Sequence, residues 1–251
     1  MIIIKTDAQI EKMRLAGQAA ARVLEYLAGR VQPGVTTGEI DRAAGKMIAK
    51  LGGKSAFLGY RKFPGQTCIS VNEEVVHGIG GVRQLKYGDI VAIDVGVILN
   101  GWIGDTARTV PCGMIDPETE RLCHTTEKIL YSALKLATAG RRLGDLCAHV
   151  EEQAINAGFT VVKEFVGHGV GRQLHEDPQI PNFGIPGTGP KLKAGMTLAI
   201  EPMINRGISE VHILQDGWTV VTADRMPSAH FEHTVLIKPE GPPEILTRIA
   251  D

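Results

Sequence analysis

Cysteine is scarce. Four residues, Cys68, Cys112, Cys123 and Cys147, are spread over 251 positions, and no pair has CxxC spacing. That speaks against a zinc ribbon and a CxxC redox motif, and so few cysteines in a chain this long fit a reducing compartment. Long apolar runs are missing too: nothing approaches the roughly 20 residues of a membrane span. Met1-Ile2-Ile3-Ile4 gives way to Lys5 and Asp7, so this run is too short for a signal sequence. The expectation is a soluble, cytoplasmic chain with no membrane partner. Charge of one sign is also absent, the formal net charge being −1. A dedicated nucleic-acid binder carries a strongly basic face, so no specific nucleic-acid partner is expected. Hydrophobic residues make up 43% of the chain, enough for a core and too many for disorder.

The residues that are present fall into a repeated order. Ile10, Met13, Gly17, Ala20, Leu24, Leu27 and Val31 recur at steps of three and four, which predicts a helix starting after Asp7 as N-cap and ending before Pro33-Gly34. Thr36 and Glu39 have capping-box spacing and open a second helix, which Gly52-Gly53 stops. Strand-like runs follow at 68–71, 90–99 and 107–112, with Asn100-Gly101 as a hairpin turn. Asp116-Pro117 then starts a helix predicted to reach about Thr138, and another spans about Leu143 to Asn156. Strands are predicted again at 161–165, 197–200, 219–221 and 231–237. Gly34, Gly38, Ile40 and Gly52 align with Gly140, Gly144, Leu146 and Gly158 at one constant offset. This points to an α+β fold in one catalytic domain, with pseudo-symmetric halves at roughly 1–113 and 114–251 and a ligand site between them.

Several carboxylates stand in apolar surroundings. Asp94 interrupts Ile90-Val91-Ala92-Ile93 and Val95-Gly96-Val97-Ile98-Leu99. An ionised carboxylate buried there needs an arginine, several backbone amides or a cation. Asp105 follows the Asn100-Gly101 turn, and a hairpin brings it back beside Asp94. Two such groups side by side repel, and a divalent cation removes the conflict. Glu201, in Thr197–Met203, and Glu232, in Ser228–Ile237, repeat the pattern. Four carboxylates carry four negative charges, which two divalent cations neutralise. An oxygen-rich site with one imidazole suits Mn²⁺, Fe²⁺, Co²⁺ or Zn²⁺.

Three histidines stand near this chemistry. His168 is set between Gly167 and Gly169, His175 follows in Leu174-His175-Glu176-Asp177-Pro178, and His77 ends Asn72-Glu73-Glu74-Val75-Val76-His77. Spacing alone does not separate metal ligand from proton donor among them. His124 and His149 fall on helices and are expected in solvent. His233 should point away from Glu232, and His230 should share Glu232's face.

The segments Ser70–Ile79, Gly88–Val95, Gly104-Asp105-Thr106-Ala107, Gly167–Arg172, His175–Pro178, Ile200–Met203, Asp216–Thr219 and Phe231–Thr234 occur in one order and spacing over nearly the whole chain. In these the chain resembles the type I methionine aminopeptidases in their short bacterial form. The resemblance implies the pita-bread fold and removal of the initiator methionine. It implies two divalent metal ions (Co, Mn, Fe, Zn or Ni), with Asp105 and Glu232 bridging, Asp94 on one metal, and His168 and Glu201 on the other. His77 and His175 match non-ligand histidines that touch substrate, and Glu201 would also shuttle a proton. The methionine side chain would enter a pocket of Phe57, Tyr60, Phe63, Cys68, Leu174 and Trp218. The implied substrates are the N-terminal methionines of nascent polypeptides followed by a small residue. A transient ribosome contact and a monomeric state are also implied. Gly80, Leu174, His230 and Phe63 depart from the family's usual residues, and none of them is a metal-ligand position. An Xaa-Pro-directed peptidase of the same fold is the alternative.

Overall fold

The structure, a computed structural model, describes residues 1–249. The sequence-derived half 114–251 therefore extends two residues beyond what is described. The chain runs α1 (Asp7–Ala28), α2 (Thr37–Lys50), β1 (Lys54–Ser55), β2 (Cys68–Val71), β3 (Glu74–Val76), β4 (Ile90–Leu99) and β5 (Trp102–Pro111). It then repeats two helices and strands: α3 (Pro117–Leu134), α4 (Leu143–Asn156), β6 (Thr160–Val161), β7 (Val166–Gly169), β8 (Glu176–Pro181), β9 (Thr197–Ile200), β10 (Met203–Asn205), β11 (Val211–Ile213), β12 (Val220–Thr222), β13 (Ser228–His230), β14 (Glu232–Leu236) and β15 (Glu244–Ile245).

Local signals set the helix starts. Thr36 accepts from the Glu39 amide at 3.2 Å, and Glu39 accepts the Thr36 amide at 2.8 Å. Asp116 accepts from the amides of Glu118 and Thr119. Asp7 is not the first cap: Thr6 holds that position, and Asp7 sits in the first turn, where its charge meets the helix dipole. The third helix stops at Leu134, short of Thr138. The returning strand starts at Trp102, straight after the turn, since Asn100 and Gly101 both take positive φ (52° and 76°). The 161–165 run is strand only at its first residue, and the 231–237 run is broken at Phe231.

The main sheet is nine-stranded, in the order β1-β4-β5-β14-β9-β7-β8, with β2 added on β4 and β15 on β14. Its two faces differ because strand side chains alternate. In β4, Val91, Ile93, Val95 and Val97 join the core formed with α1 and α2. In β9 and β14, Leu198, Ile200 and Val235 join the core formed with α3 and α4. Asp94, Ala199 and Glu232 stand at the alternate positions and face the other way. Among the described residues, no helix is long and apolar enough to cross a membrane.

The two passages share local hydrogen bonding. Gly34 and Gly140 have φ of 89° and 91°, and their amides donate to Leu85 and Leu192. The residues before α2 and α4, Thr36 and Arg142, each form an isolated antiparallel bridge, to Gln84 and Lys191.

Candidate metal centre and substrate pocket

Register places the acidic residues. Asp94 pairs with Ala107 across β4–β5, and Ala107 pairs with Glu232 across β5–β14. Glu201 follows Ile200, the partner of His233, which continues the row beyond Glu232. The next row holds Asp105, opposite Gly96, and His168, opposite Ala199. Asp94 and Asp105 are thus diagonal neighbours on one face rather than a directly opposed pair. Gly96 carries the Phe57 ring: a Cβ there would lie 2.5 Å from it.

The structure brings all five residues together. Ligand atoms of Asp105, His168 and Glu232 lie within 4.8 Å of one another. His168 Nε2 is 3.7 Å from Asp105 Oδ2 and 3.4 Å from Glu201 Oε1. His168 Nδ1 lies 2.9 Å from the Gly169 carbonyl, which can only accept, so Nδ1 carries the proton. Nε2 therefore turns a lone pair toward two carboxylates, an arrangement that calls for a cation between them. Asp94 Oδ1, Asp105 Oδ1, Glu232 Oε1 and His230 Nε2 are buried with no hydrogen-bond partner. No lysine or arginine pairs with any of the four carboxylates among the described residues. The donor set fits divalent metal.

Electrostatics point the same way. Burial raises the Asp94, Asp105, Glu201 and Glu232 pKa values well above the usual carboxylate range, and mutual repulsion adds to it. Burial pushes His168 down to about 3, with His175 contributing, so its imidazole is neutral and able to ligate. His230 is pushed down to about 3 by burial and His77. Its Nε2 stands 3.5 Å from Glu201 Oε2, so it reaches the cluster through Glu201.

Beside the cluster lies a cavity of about 270 Å³. All eight residues expected to contact substrate line it: His77, His175, Phe57, Tyr60, Phe63, Cys68, Leu174 and Trp218. Phe63 meets Trp218 edge-on at 5.1 Å, and Leu174 packs with Phe57, Phe63 and Cys68. His77 sits edge-on to Phe165 and Trp218, and burial lowers it to about 4, helped by His175. Tyr60 Oη lies 2.7 Å from His175 Nδ1. Burial lowers the His175 pKa, and the nearby Arg61 charge adds to it.

Sequence reasoning missed Arg61, Val76, Glu164, Phe165, Val166 and Met203 in the lining. Phe165 and Val166 run directly into Gly167-His168-Gly169, and Met203 follows Glu201-Pro202, so adjacency to ligand candidates was an available signal. His233 does face away from Glu232, bonding Tyr131 and Thr247. His124 is exposed, but His149 is half-buried, 2.8 Å from Ser132 Oγ, which its solvent-facing expectation did not foresee. Gly80 leaves room for Asp41: a Cβ there would be 2.7 Å from Asp41 Cβ. Asp41 in turn accepts the Gln66 and Thr67 amides just ahead of Cys68.

Fold and site together define a pita-bread hydrolase that uses divalent metal. Prolidase from Pyrococcus furiosus shares the fold, with a TM-score of 0.81 over 99% of this chain and 66% of that one, at 23% identity. Methionine aminopeptidase from Clostridium perfringens is 51% identical over 249 residues, covering 99% of this chain and 100% of that protein. The crystal structure of methionine aminopeptidase from Thermotoga maritima superposes with a TM-score of 0.97 at 47% identity, over 99% of this chain and 100% of that one. The model of metallopeptidase family M24 matches residues 11–239. The chain belongs to metallopeptidase family M24 and, within it, to the methionine aminopeptidases.

Proposed function

We propose that this chain removes the N-terminal methionine of nascent proteins and peptides, most readily when the second residue is small, as a cytoplasmic monomer that meets its substrates at the ribosome. The observation that carries the reading is a buried set of four carboxylates and one neutral imidazole, without a basic partner among the described residues, at the side of an apolar cavity. Asp94, Asp105, His168, Glu201 and Glu232 would hold two divalent cations drawn from Co, Mn, Fe, Zn or Ni. Cations there would supply Lewis acidity, lowering the pKa of water toward neutrality and polarising the scissile carbonyl.

The chain's own groups do the rest. Glu201 takes the proton of the attacking water and passes it toward the leaving nitrogen. Tyr60 Oη lies 2.7 Å from His175 Nδ1; with Tyr60 as donor, the His175 proton stands on Nε2 and is donated to the developing oxyanion. His77, neutral at working pH, hydrogen-bonds the scissile amide. Phe57, Phe63, Cys68, Leu174 and Trp218 enclose an unbranched thioether, for which sulfur–aromatic contact is favourable.

The test is release of methionine from Met-Ala-Ser with Mn²⁺ or Co²⁺, beside an Xaa-Pro peptide. Loss of activity with chelator and with Asp94→Ala is expected. Cleavage of the Xaa-Pro substrate in preference to Met-Ala-Ser would assign the chain to the prolidase type instead.

A further inference from the structure

His175 and Leu174 lie on an irregular segment, residues 170–175, between β7 and β8. Beneath it the Glu176 side chain turns inward. Its Oε1 accepts the Arg172 amide at 3.0 Å and the Gln173 amide at 3.4 Å. Gly171 backs onto the same carboxylate, where a Cβ would lie 2.4 Å from Oε1. The other oxygen meets Lys5 Nζ at 2.6 Å, with the two side chains 2% and 4% exposed. Lys5 comes from the segment ahead of α1, far away in sequence. It is itself anchored, its amide donating to the Gly195 carbonyl at 2.8 Å and its Nζ to the Ile3 carbonyl at 3.4 Å.

A buried ion pair is weak evidence for stability, because both charges lose their hydration. What this pair does is geometric. Glu176 gathers two amides of the segment that precedes it, and Lys5 holds that carboxylate in place. His175 is the next residue along the chain, so its imidazole is aimed by the same clamp. Leu174 has a separate anchor in the apolar cluster with Phe57, Phe63 and Trp102.

We propose that Lys5 and Glu176 are positioning residues that set where His175 presents its imidazole to the substrate. The proposal rests on the role given to His175 above. A catalytic group displaced by about 1 Å costs on the order of a hundredfold in rate, so the clamp has a kinetic signature as well as a structural one.

The experiment compares Lys5→Met, Glu176→Gln, the Lys5→Met/Glu176→Gln double variant and His175→Ala as Zn²⁺-loaded enzymes. It reads kcat and KM on Met-Ala-Ser, the melting temperature, and the imidazole ¹⁵N–¹H correlations of His175. Each single clamp variant should lower kcat at least about tenfold with KM within about threefold, and shift the His175 resonances. The double variant leaves no lone buried charge, so it should melt above either single variant while its kcat stays low. Reduced melting temperatures with kcat and His175 resonances unchanged would overturn the proposal and leave the pair purely structural. If His175→Ala itself keeps full kcat, the role of His175 fails instead. The His175 resonances in the clamp variants then still decide whether Lys5 and Glu176 set its position.

Discussion

Ala107 stands directly opposite Glu232 in the β5–β14 ladder and directly opposite Asp94 in the β4–β5 ladder, so its methyl group lies between the two acids on one face of the sheet. The small side chain is what lets two carboxylates, two strands apart, share one space. Ala107→Leu puts three more carbons into that space. Overpacking costs about 1–3 kcal/mol in stability. The larger effect should be on metal, because the added atoms occupy the ground between the two acids. Metal content after dialysis should fall below half of the wild-type value, while the melting temperature drops by a few degrees. Full metal content in a folded variant would show that Asp94 and Glu232 do not converge on one ligand site.

Part of this arrangement was legible in the sequence. Asp94 inside an apolar decapeptide and Asp105 just past Asn100-Gly101 announced a hairpin with two acids on one face, and the turn supplied the pairing. Sequence did not fix the register: the pair is diagonal, and Ala107 is the residue between Asp94 and Glu232. Long-range partners such as Lys5 and Glu176 gave no signal, since nothing local marks two charged residues 171 positions apart as a buried pair. Gly167 and Gly169 flank His168, and glycine there allows another group to come close to the backbone. The structure names what approaches: a Cβ on Gly169 would lie 2.2 Å from the Asp177 carbonyl, and one on Gly167 2.5 Å from that of Ala199.

The acid cluster gives the metal-free protein an unusual pH dependence. Asp94, Asp105, Glu201 and Glu232 have raised pKa values in the fold. Their contribution to stability is full below the ordinary carboxylate pKa of about 4 and is lost as pH rises through the raised values, at about 1.4 kcal/mol per pH unit for each proton. His77, His168 and His230 are lowered, so their contribution is present above about 6.5 and lost below it. As pH rises through the raised values, the metal-free melting temperature should fall, and the gain from added Mn²⁺ should grow. Asp105→Asn should flatten both trends. A metal-free protein whose stability does not fall as pH rises would contradict the raised carboxylate pKa values of the cluster.

Tyr60 touches the chemistry through one atom. Its hydroxyl lies 2.7 Å from His175 Nδ1, and as the donor in that bond it would hold the tautomer that leaves a proton on Nε2. Tyr60→Phe keeps the ring and removes only that bond. A hydrogen bond is worth about 0.5–1.5 kcal/mol net, so kcat should fall roughly 2- to 12-fold, with KM nearly unchanged. An unaltered kcat in steady-state assays would mean that the imidazole keeps its tautomer without Tyr60.

Methionine selectivity should rest on the edge-to-face pair at the end of the cavity. Phe63 is 4% exposed, and its ring meets Trp218 at 78°. Phe63→Ala removes the ring that Trp218 packs against and widens the space meant for the thioether. A buried Phe→Ala change costs about 3–5 kcal/mol where the gap stays open, and part of that cost should appear as weaker substrate binding. The expected result is a kcat/KM on Met-Ala-Ser lowered by about 10- to 100-fold, carried mainly by KM, since no group that moves a proton is touched. The opened pocket should also accept a bulkier first residue, so Phe-Ala-Ser should gain on Met-Ala-Ser in direct competition. If kcat/KM for the methionine peptide stays at the wild-type level in a folded Phe63→Ala variant, the methionine side chain lies elsewhere in the cavity and the aromatic pair is core packing alone.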